Sequence, residues 1–140
     1  ELFRFFKEMI RFRNENVVFK RDTHFDGQQT QPGGLPDCAW FTKEGAPMNW
    51  TEHGMTLACR IDGAVNNATT LYLMFNPARS ARQFRIPQGD WHVRINTAEQ
   101  APDDIRDASE APLVHGGTWV QLEKTSMAVL SMRDSIGAGS

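Results

Sequence analysis

Histidine and cysteine side chains are the first candidates for chemistry in this chain of 140 residues, because they can bind metal ions or form disulfides. The four histidines are His24, His53, His92 and His115, and the two cysteines are Cys38 and Cys59. Metal sites usually use closely spaced ligand pairs, whereas these histidines are widely scattered and the cysteines show no C-x-x-C spacing. The sequence therefore predicts no metal site and no cofactor.

Each cysteine occupies an inward-facing position in a segment with strand-like alternation, Cys38 close to Trp40 and Cys59 between Leu57 and Ile61. Cysteines outside disulfides are among the most often buried residues, and cytosolic proteins keep their thiols reduced. We expect two buried free thiols, with a disulfide between them as the alternative.

Charge and hydropathy exclude several classes of partner. The 15 basic and 17 acidic residues leave a net charge of −2, so neither nucleic acid nor a membrane surface is a predicted partner. No apolar run approaches the ~20 residues that span a bilayer, and the first residues lack the apolar core and cleavage site of a signal peptide. These observations predict a soluble, cytoplasmic protein.

The segment from Thr69 to Thr97 contains the elements that must position any site. Apolar residues recur at every second position in residues 71–76, 84–86 and 91–95. This period of two is typical of half-buried strands, and the prolines between the segments interrupt them because proline cannot donate a ladder hydrogen bond. We predict three consecutive strands in a meander with one buried face, with Trp91, Val93 and Ile95 on the same side.

The rest of the chain supplies further strand-like segments and one helix. The additional predicted strands are residues 37–41, 57–61, 112–114, 118–122 and 126–130. Residues 18–36 and 98–111 are rich in turn formers or charges, so both are predicted to be exposed loops. About eight short strands without crossover helices predict a mainly β fold, an antiparallel Greek-key β-sandwich preceded by one N-terminal helix.

The predicted helix covers residues 1 to about 14 and has an unusually wide apolar face. Its large apolar residues are Leu2, Phe3, Phe5, Phe6, Met9, Ile10 and Phe12. One edge of a sandwich covers only one side of a helix, so we expect this helix to contact a second surface. A homodimer that pairs the Leu2 to Phe12 segments of two copies is the simplest closed solution.

Several motifs occur in a fixed order along the chain. They are M-I at 9–10 with Arg13, D-x-x-W…G-x-x-M-x-W formed by Asp37, Trp40, Gly45, Met48 and Trp50, L-Y-L-M-F-N at 71–76, F-R-I-P at 84–87, Trp91, and S-M-A-V-L at 126–130. Together they resemble the C-terminal β domain of glycogen debranching enzymes of the isoamylase type, within the α-amylase superfamily. The resemblance extends from Met9 to Leu130.

This resemblance implies a division of the chain and a parent enzyme. Residues 1–22 would be the last helix of a catalytic (β/α)8 barrel plus a linker, residues 23–134 the C-terminal β-sandwich, and residues 135–140 a flexible tail. The parent would be a glycoside hydrolase that cleaves α-1,6 branch linkages in glycogen or a related α-glucan. Since the helix pattern begins at the first residue without a cap, we expect a preceding barrel in the same parent chain.

Retaining glycosidases need two carboxyl groups ~5–5.5 Å apart, and barrel enzymes carry them on loops after barrel strands. This sequence contains no barrel strand, so no catalytic residue is assigned. The remaining acids are interpreted as surface or turn residues: Asp37, Glu44, Glu52, Asp62, Asp90 and Glu99.

Two roles remain open for the domain. In the first, it is an accessory domain that stabilises the barrel and is not catalytic by itself. In the second, it is a carbohydrate-binding module in which an exposed tryptophan stacks on a sugar ring. Trp50, in a loop, is the candidate substrate-binding residue, whereas Trp40 and Trp91 lie on strand patterns and are predicted to be core residues.

Overall fold

The computed structural model describes residues 2–15, 38–47, 56–62, 69–107 and 109–132. These residues contain one helix and eight strands. They are α1 (Leu2–Glu15), β1 (Cys38–Phe41), β2 (Leu57–Ile61), β3 (Leu71–Asn76), β4 (Arg82–Arg85), β5 (Asp90–Asn96), β6 (Leu113–His115), β7 (Trp119–Leu122) and β8 (Ser126–Met132). Every pair of neighbouring strands is antiparallel. The predicted mainly β fold class with one N-terminal helix is confirmed.

Six strands form one sheet in the order β1-β2-β3-β8-β5-β6, and β4 pairs with β7 in a second sheet. The predicted meander of β3, β4 and β5 is therefore wrong, because β8 separates β3 from β5. The prediction of one buried face is also wrong, since Leu71 and Tyr72 on β3 point to opposite faces and are 0% and 1% exposed. A strand that is apolar on both faces needs a covering layer on each side.

The first core lies between the six-stranded sheet and the β4–β7 sheet. Its largest side chains are Trp91, Tyr72, Phe84, Met74, Ile86, Leu122 and Leu130, each less than 2% exposed. On β4, Phe84 is buried while its neighbours Gln83 and Arg85 are exposed, as the alternating pattern predicts. Full burial of such side chains contributes roughly 1.5–3 kcal/mol each, so this core is a major source of stability.

The second core lies on the opposite face of the six-stranded sheet, beneath α1. Phe12 of the helix is 4% exposed, and Met9 packs against the same cluster. The sheet and its loops contribute Cys59, Ile61, Leu71, Ile95, Ile105 and Val129.

No helix among the described residues is long and apolar enough to cross a bilayer.

A β-bulge at Arg94 divides the residues of β5 between the two cores. Val93 lies opposite Leu130 on β8, and Ile95 lies opposite Val129. Neighbouring positions of β8 face opposite sides of the sheet, so Val93 packs against the first core and Ile95 against the second. The prediction that Val93 and Ile95 share one face is therefore wrong, because the extra residue reverses the alternation.

The loop after β5 is partly buried. Ile105 is 8% exposed and forms an isolated bridge with Ile95, so the prediction of a wholly exposed loop is wrong at its one large apolar side chain. The same loop holds the helix, because Arg4 forms an ion pair with Asp104. A second, longer ion pair joins Arg11 of α1 to Asp107 at 3.6 Å.

Candidate functional site

A cleft of about 860 Å³ opens at one end of the first core, where both sheets contribute to its walls. It is lined by Phe41, Glu44, Gly45, Ala46, Arg60, Asp62, Thr70, Tyr72, Arg85, Ile86, Pro87, Gln88, Trp91, Gly117 and Met132. The volume falls in the range of about 300–1,000 Å³ that small-molecule sites occupy. This cleft is the candidate functional site.

Aromatic rings form the floor of the cleft. The ring of Tyr72 lies between those of Phe41 and Trp91, with centroid distances of 6.1 and 5.9 Å. Trp91 is 0% exposed, as predicted for a core residue, and its Nε1 donates a hydrogen bond of 3.1 Å to the carbonyl oxygen of Pro87. The floor is therefore apolar and rigid.

Arg60 and Tyr72 are directly opposite each other on the neighbouring strands β2 and β3. The Arg60 guanidinium carbon lies 5.2 Å from the centre of the Phe41 ring, and Arg60 Nε is buried without a hydrogen-bond partner among the described residues. Tyr72 is 1% exposed and lines the cleft, and its hydroxyl has no hydrogen-bond partner in the described part of the chain. Two polar groups are thus held at the cleft by the apolar packing of their side chains.

The ionisation state of Tyr72 follows from its surroundings. Burial raises the pKa of Tyr72 to about 12, while the nearby positive charge of Arg60 opposes this shift. The phenol is therefore protonated and neutral at physiological pH. It can donate one hydrogen bond to a ligand in the cleft and accept another.

Two carboxylates also line the cleft. Asp62 is 8% exposed and accepts a hydrogen bond of 3.3 Å from the Thr70 hydroxyl. Glu44 accepts a hydrogen bond of 2.8 Å from Lys43, which holds the pKa of Glu44 below its usual value. Both acids, interpreted from the sequence as turn or surface residues, thus lie at the cleft.

The cleft has no strong net charge. Its lining contains two arginines, Arg60 and Arg85, and two acids, Asp62 and Glu44. The guanidinium groups donate hydrogen bonds, the carboxylates accept them, and Gln88 can do both. Such a set is suited to binding a neutral ligand with many polar groups.

The tryptophans are distributed differently from the prediction. Trp40 is 40% exposed on β1, the edge strand of the six-stranded sheet in the described part of the chain, so its assignment to the core is wrong. Trp119, which the sequence identified only as a strand residue, is 49% exposed and pairs with Arg85 on the β4–β7 sheet. Trp50, the predicted substrate-binding residue, lies outside the described residues, as do Asp37 and Met48 of its motif.

Cys38 and Cys59, both within the described residues, are not joined by a disulfide. Cys59 is 6% exposed, and burial raises the pKa of its thiol to about 12, so it is an unreactive thiol near neutral pH. Cys38 is half-buried rather than buried. Within the described ranges, no three His, Cys, Asp or Glu side chains lie close enough together to hold a metal ion.

The helix side of the sheet carries an incompletely covered apolar surface. On α1, Ile10 is 61% exposed although Phe12 is buried. At one end of the sheet, an open groove of about 360 Å³ is lined by Leu57, Phe75, Asn76, Pro77, Thr97, Thr125, Ser126 and Met127. The side chains of Leu2, Phe3, Phe5 and Phe6 lie outside those described, so the wide apolar face of the helix and its pairing in a homodimer remain predictions.

Comparisons with known proteins were made for sequence and for fold. A scan against protein-family models gave no match, and a search of curated protein sequences gave none either. Among solved structures, the chain is similar to a pullulanase from Bacillus acidopullulyticus, with a TM-score of 0.58 and 19% identity over 93% of this chain. This chain spans only 13% of the length of that pullulanase. At this identity the similarity is one of fold.

Proposed function

We propose that this chain is an accessory β domain of a debranching glycoside hydrolase in the α-amylase superfamily. Its role is to pack against the catalytic barrel and stabilise it, while the catalytic carboxylates lie in the barrel. The observation that carries the proposal is the fold similarity to a 13% portion of a pullulanase, which extends over 93% of this chain. The ordered motifs from Met9 to Leu130 support the same superfamily independently of the fold.

The same motifs favour a finer assignment. We infer a parent of the isoamylase type that hydrolyses α-1,6 linkages of glycogen or a related α-glucan in the cytoplasm. Residues 1–22 would belong to the last barrel helix and a linker, residues 23–134 to the accessory domain, and residues 135–140 to a tail. In this arrangement, the barrel of the same chain is the principal partner of the domain.

The apolar surface on the helix side fits a docking role. Ile10 is 61% exposed on a helix whose other side is packed on the sheet, and Trp40 is 40% exposed on the edge strand of that sheet. Covering the exposed parts of these two side chains would contribute a fraction of the roughly 1.5–3 kcal/mol that full burial of each provides, and so would favour association of the two domains. The barrel is the occupant that the proposal names for this surface.

Sequencing the gene upstream of the codon for Glu1 tests the proposal directly. A (β/α)8 barrel with paired catalytic carboxylates in the same reading frame is the expected result. An upstream domain of another fold, or a start codon at this position, would overturn it.

Activity gives a second test. We expect the chain alone to release no reducing ends from glycogen, and the intact parent to do so. In the parent, Ile10→Glu should lower the melting temperature of the barrel, whereas a change to the same residue at an exposed position away from the docking surface, Gln83→Glu, should leave it unchanged. Debranching by the chain alone, with contamination excluded, would contradict the accessory role.

The alternative is a carbohydrate-binding module, and exposed tryptophans favour it. Trp119 is 49% exposed on the β4–β7 sheet, and an exposed indole can stack on a sugar face. Trp50 remains the residue predicted for this role from its loop position. Glucan titration of Trp50→Ala and Trp119→Ala variants distinguishes the accessory role from the binding module. A binding module loses affinity for glucan when its stacking ring is removed, whereas a purely accessory domain shows no change in glucan binding.

A further inference from the structure

We propose that the cleft between Arg60 and Tyr72 binds a short neutral saccharide. This site goes beyond the proposed function, which gives the cleft no ligand, and it does not depend on that function. The proposal rests on the buried Arg60 Nε, which has no hydrogen-bond partner among the described residues, on the Tyr72 hydroxyl, and on the balanced charges and aromatic floor of the cleft.

The first step is that the cleft is built to receive polar contacts. Tyr72 is 1% exposed, yet its hydroxyl faces the cleft with no hydrogen-bond partner in the described chain. Directly opposite on β2, Arg60 Nε is buried without a hydrogen-bond partner among the described residues. Buried polar atoms are normally hydrogen-bonded, so Arg60 Nε indicates a ligand or ordered water at this position, and the Tyr72 hydroxyl, an accessible group on the cleft lining, can bond to the same ligand.

The second step is that the ligand is neutral. An anion would be attracted by Arg60 and Arg85 but repelled by Asp62 and Glu44. A cation would be attracted by the two acids and repelled by the two arginines. A wholly apolar ligand would leave Arg60 and Asp62 desolvated without new hydrogen bonds, which is unfavourable. A neutral ligand that both donates and accepts hydrogen bonds can bond to the arginines and to the carboxylates without repulsion from either.

The third step concerns shape. The floor is apolar, with Phe41 held beneath the Arg60 guanidinium and in contact with Tyr72. Sugars combine ring faces rich in C–H groups with hydroxyls that donate and accept, so they match an apolar floor with polar walls. The volume of about 860 Å³ leaves room for two or three hexose units in an open cleft.

Isothermal titration calorimetry of the full chain with maltotriose tests the proposal, with inorganic phosphate as the comparison ligand. Maltotriose should bind with a dissociation constant in the millimolar range or below, and phosphate should not bind. Tyr72→Phe removes only the hydroxyl and keeps the ring, so it should fold and weaken maltotriose binding about fivefold, the effect of one hydrogen bond. Arg60→Gln should weaken it at least as much.

Arg79→Gln is the matched control, because Arg79 is exposed, lies outside the cleft and loses the same charge. It should bind maltotriose as the unaltered chain does. If Trp119→Ala abolishes maltotriose binding and Tyr72→Phe leaves it intact, the sugar binds on the β4–β7 sheet and the proposal is overturned. Absence of maltotriose binding, or phosphate binding that depends on Arg60, would also overturn it. None of these outcomes affects the accessory-domain proposal, which the gene sequence tests separately.

Discussion

The guanidinium carbon of Arg94 lies 4.9 Å from the centre of the Phe12 ring. Arg94 occupies the β-bulge of β5, and its Nε donates a hydrogen bond of 2.8 Å to the carbonyl oxygen of Arg106. One side chain therefore contacts the helix, the sheet and the loop after β5. The docking of α1 depends on this bulge as well as on its own apolar face.

Phe12→Ala should destabilise the fold far more than Ile10→Ala. Phe12 is 4% exposed and Ile10 is 61% exposed, so only the first change leaves a cavity in the second core. We expect a loss of about 3–5 kcal/mol for Phe12→Ala and less than about 1 kcal/mol for Ile10→Ala, measured by urea denaturation. Equal losses would show that α1 is not packed on the sheet as described.

A second comparison is between Trp91 in the first core and Trp119 on the exposed side of the β4–β7 sheet. Trp91→Ala should lower the free energy of unfolding by about 3–5 kcal/mol, because Trp91 is wholly buried and its Nε1 is hydrogen-bonded. Trp119→Ala, at a side chain that is 49% exposed, should lower it by less than about 1 kcal/mol. Thermal melts of both variants check this, and a large loss at Trp119 would contradict its exposed position.

Gly116→Ala should destabilise the cleft wall. A Cβ at Gly116 would lie 2.5 Å from the carbonyl oxygen of Pro87 and 2.7 Å from the Cα of Gln88, and backbone atoms have little freedom to move away. We expect a loss of about 1–3 kcal/mol or more by chemical denaturation.

Gly117→Asn is the control for this change. Gly117 has a φ of +83° with open space around it, and asparagine tolerates that conformation better than other side chains. Its loss should be about 1 kcal/mol, the low end of the cost of a non-glycine residue at positive φ, and smaller than the loss from Gly116→Ala. If the two variants are equally stable, the close approach of the chain at Gly116 is not rigid.

Stability should fall at alkaline pH. Burial raises the pKa of Cys59 from 9.0 to about 12 and that of Tyr72 from 10.0 to about 12, so the folded chain retains protons that the unfolded chain loses. The contribution of both groups is complete below pH 9 and is lost as the pH rises toward 12. Urea denaturation at a series of pH values should show this decline, and Tyr72→Phe and Cys59→Ala should each make it shallower. If the free energy of unfolding falls with pH as steeply in both variants as in the unaltered chain, the burial of Tyr72 and Cys59 is contradicted.

Self-association through the helix is the fifth prediction. Ile10 is exposed on a helix whose sequence predicts a wide apolar face, so the chain should form dimers at high micromolar concentration in sedimentation experiments. Ile10→Lys should shift it toward monomer, while Ile105→Val, a conservative change in the second core, should not. A monomeric unaltered chain would show that the apolar face is narrower than predicted.

The sequence predicted the elements better than their pairing. Period-two alternation, together with apolar segments between turn formers, located the eight strands that the described residues contain. The register between β3 and β8 joins residues such as Leu71 and Ser131, sixty positions apart, and local periodicity carries no information on such a pairing. The bulge at Arg94 has no proline or glycine to mark it, so the reversal of Ile95 was missed.

The sequence predicts the residues of the candidate site less well than it predicts the fold. Arg60 and Tyr72 lie on strands that were both predicted, but only the register between β2 and β3 places them opposite each other. Because the alternation assigned Leu57, Cys59 and Ile61 to the inward face, it assigned Arg60 to the outward face and carried no signal for a cleft at this residue. Trp40 was misplaced because alternation does not distinguish an edge strand from a central one.

The position of β8 has a consequence for biosynthesis. Ser126–Met132 pairs with both β3 and β5, so the six-stranded sheet has a gap at its centre until this segment has left the ribosome. During translation, β2 and β3 can form one half-sheet while β5 and β6 form another, and each presents an open edge toward the missing strand. Open edges promote pairing with other chains. A ribosome that stalls before Ser126 therefore leaves a nascent chain with two open sheet edges, a species that chaperones must protect.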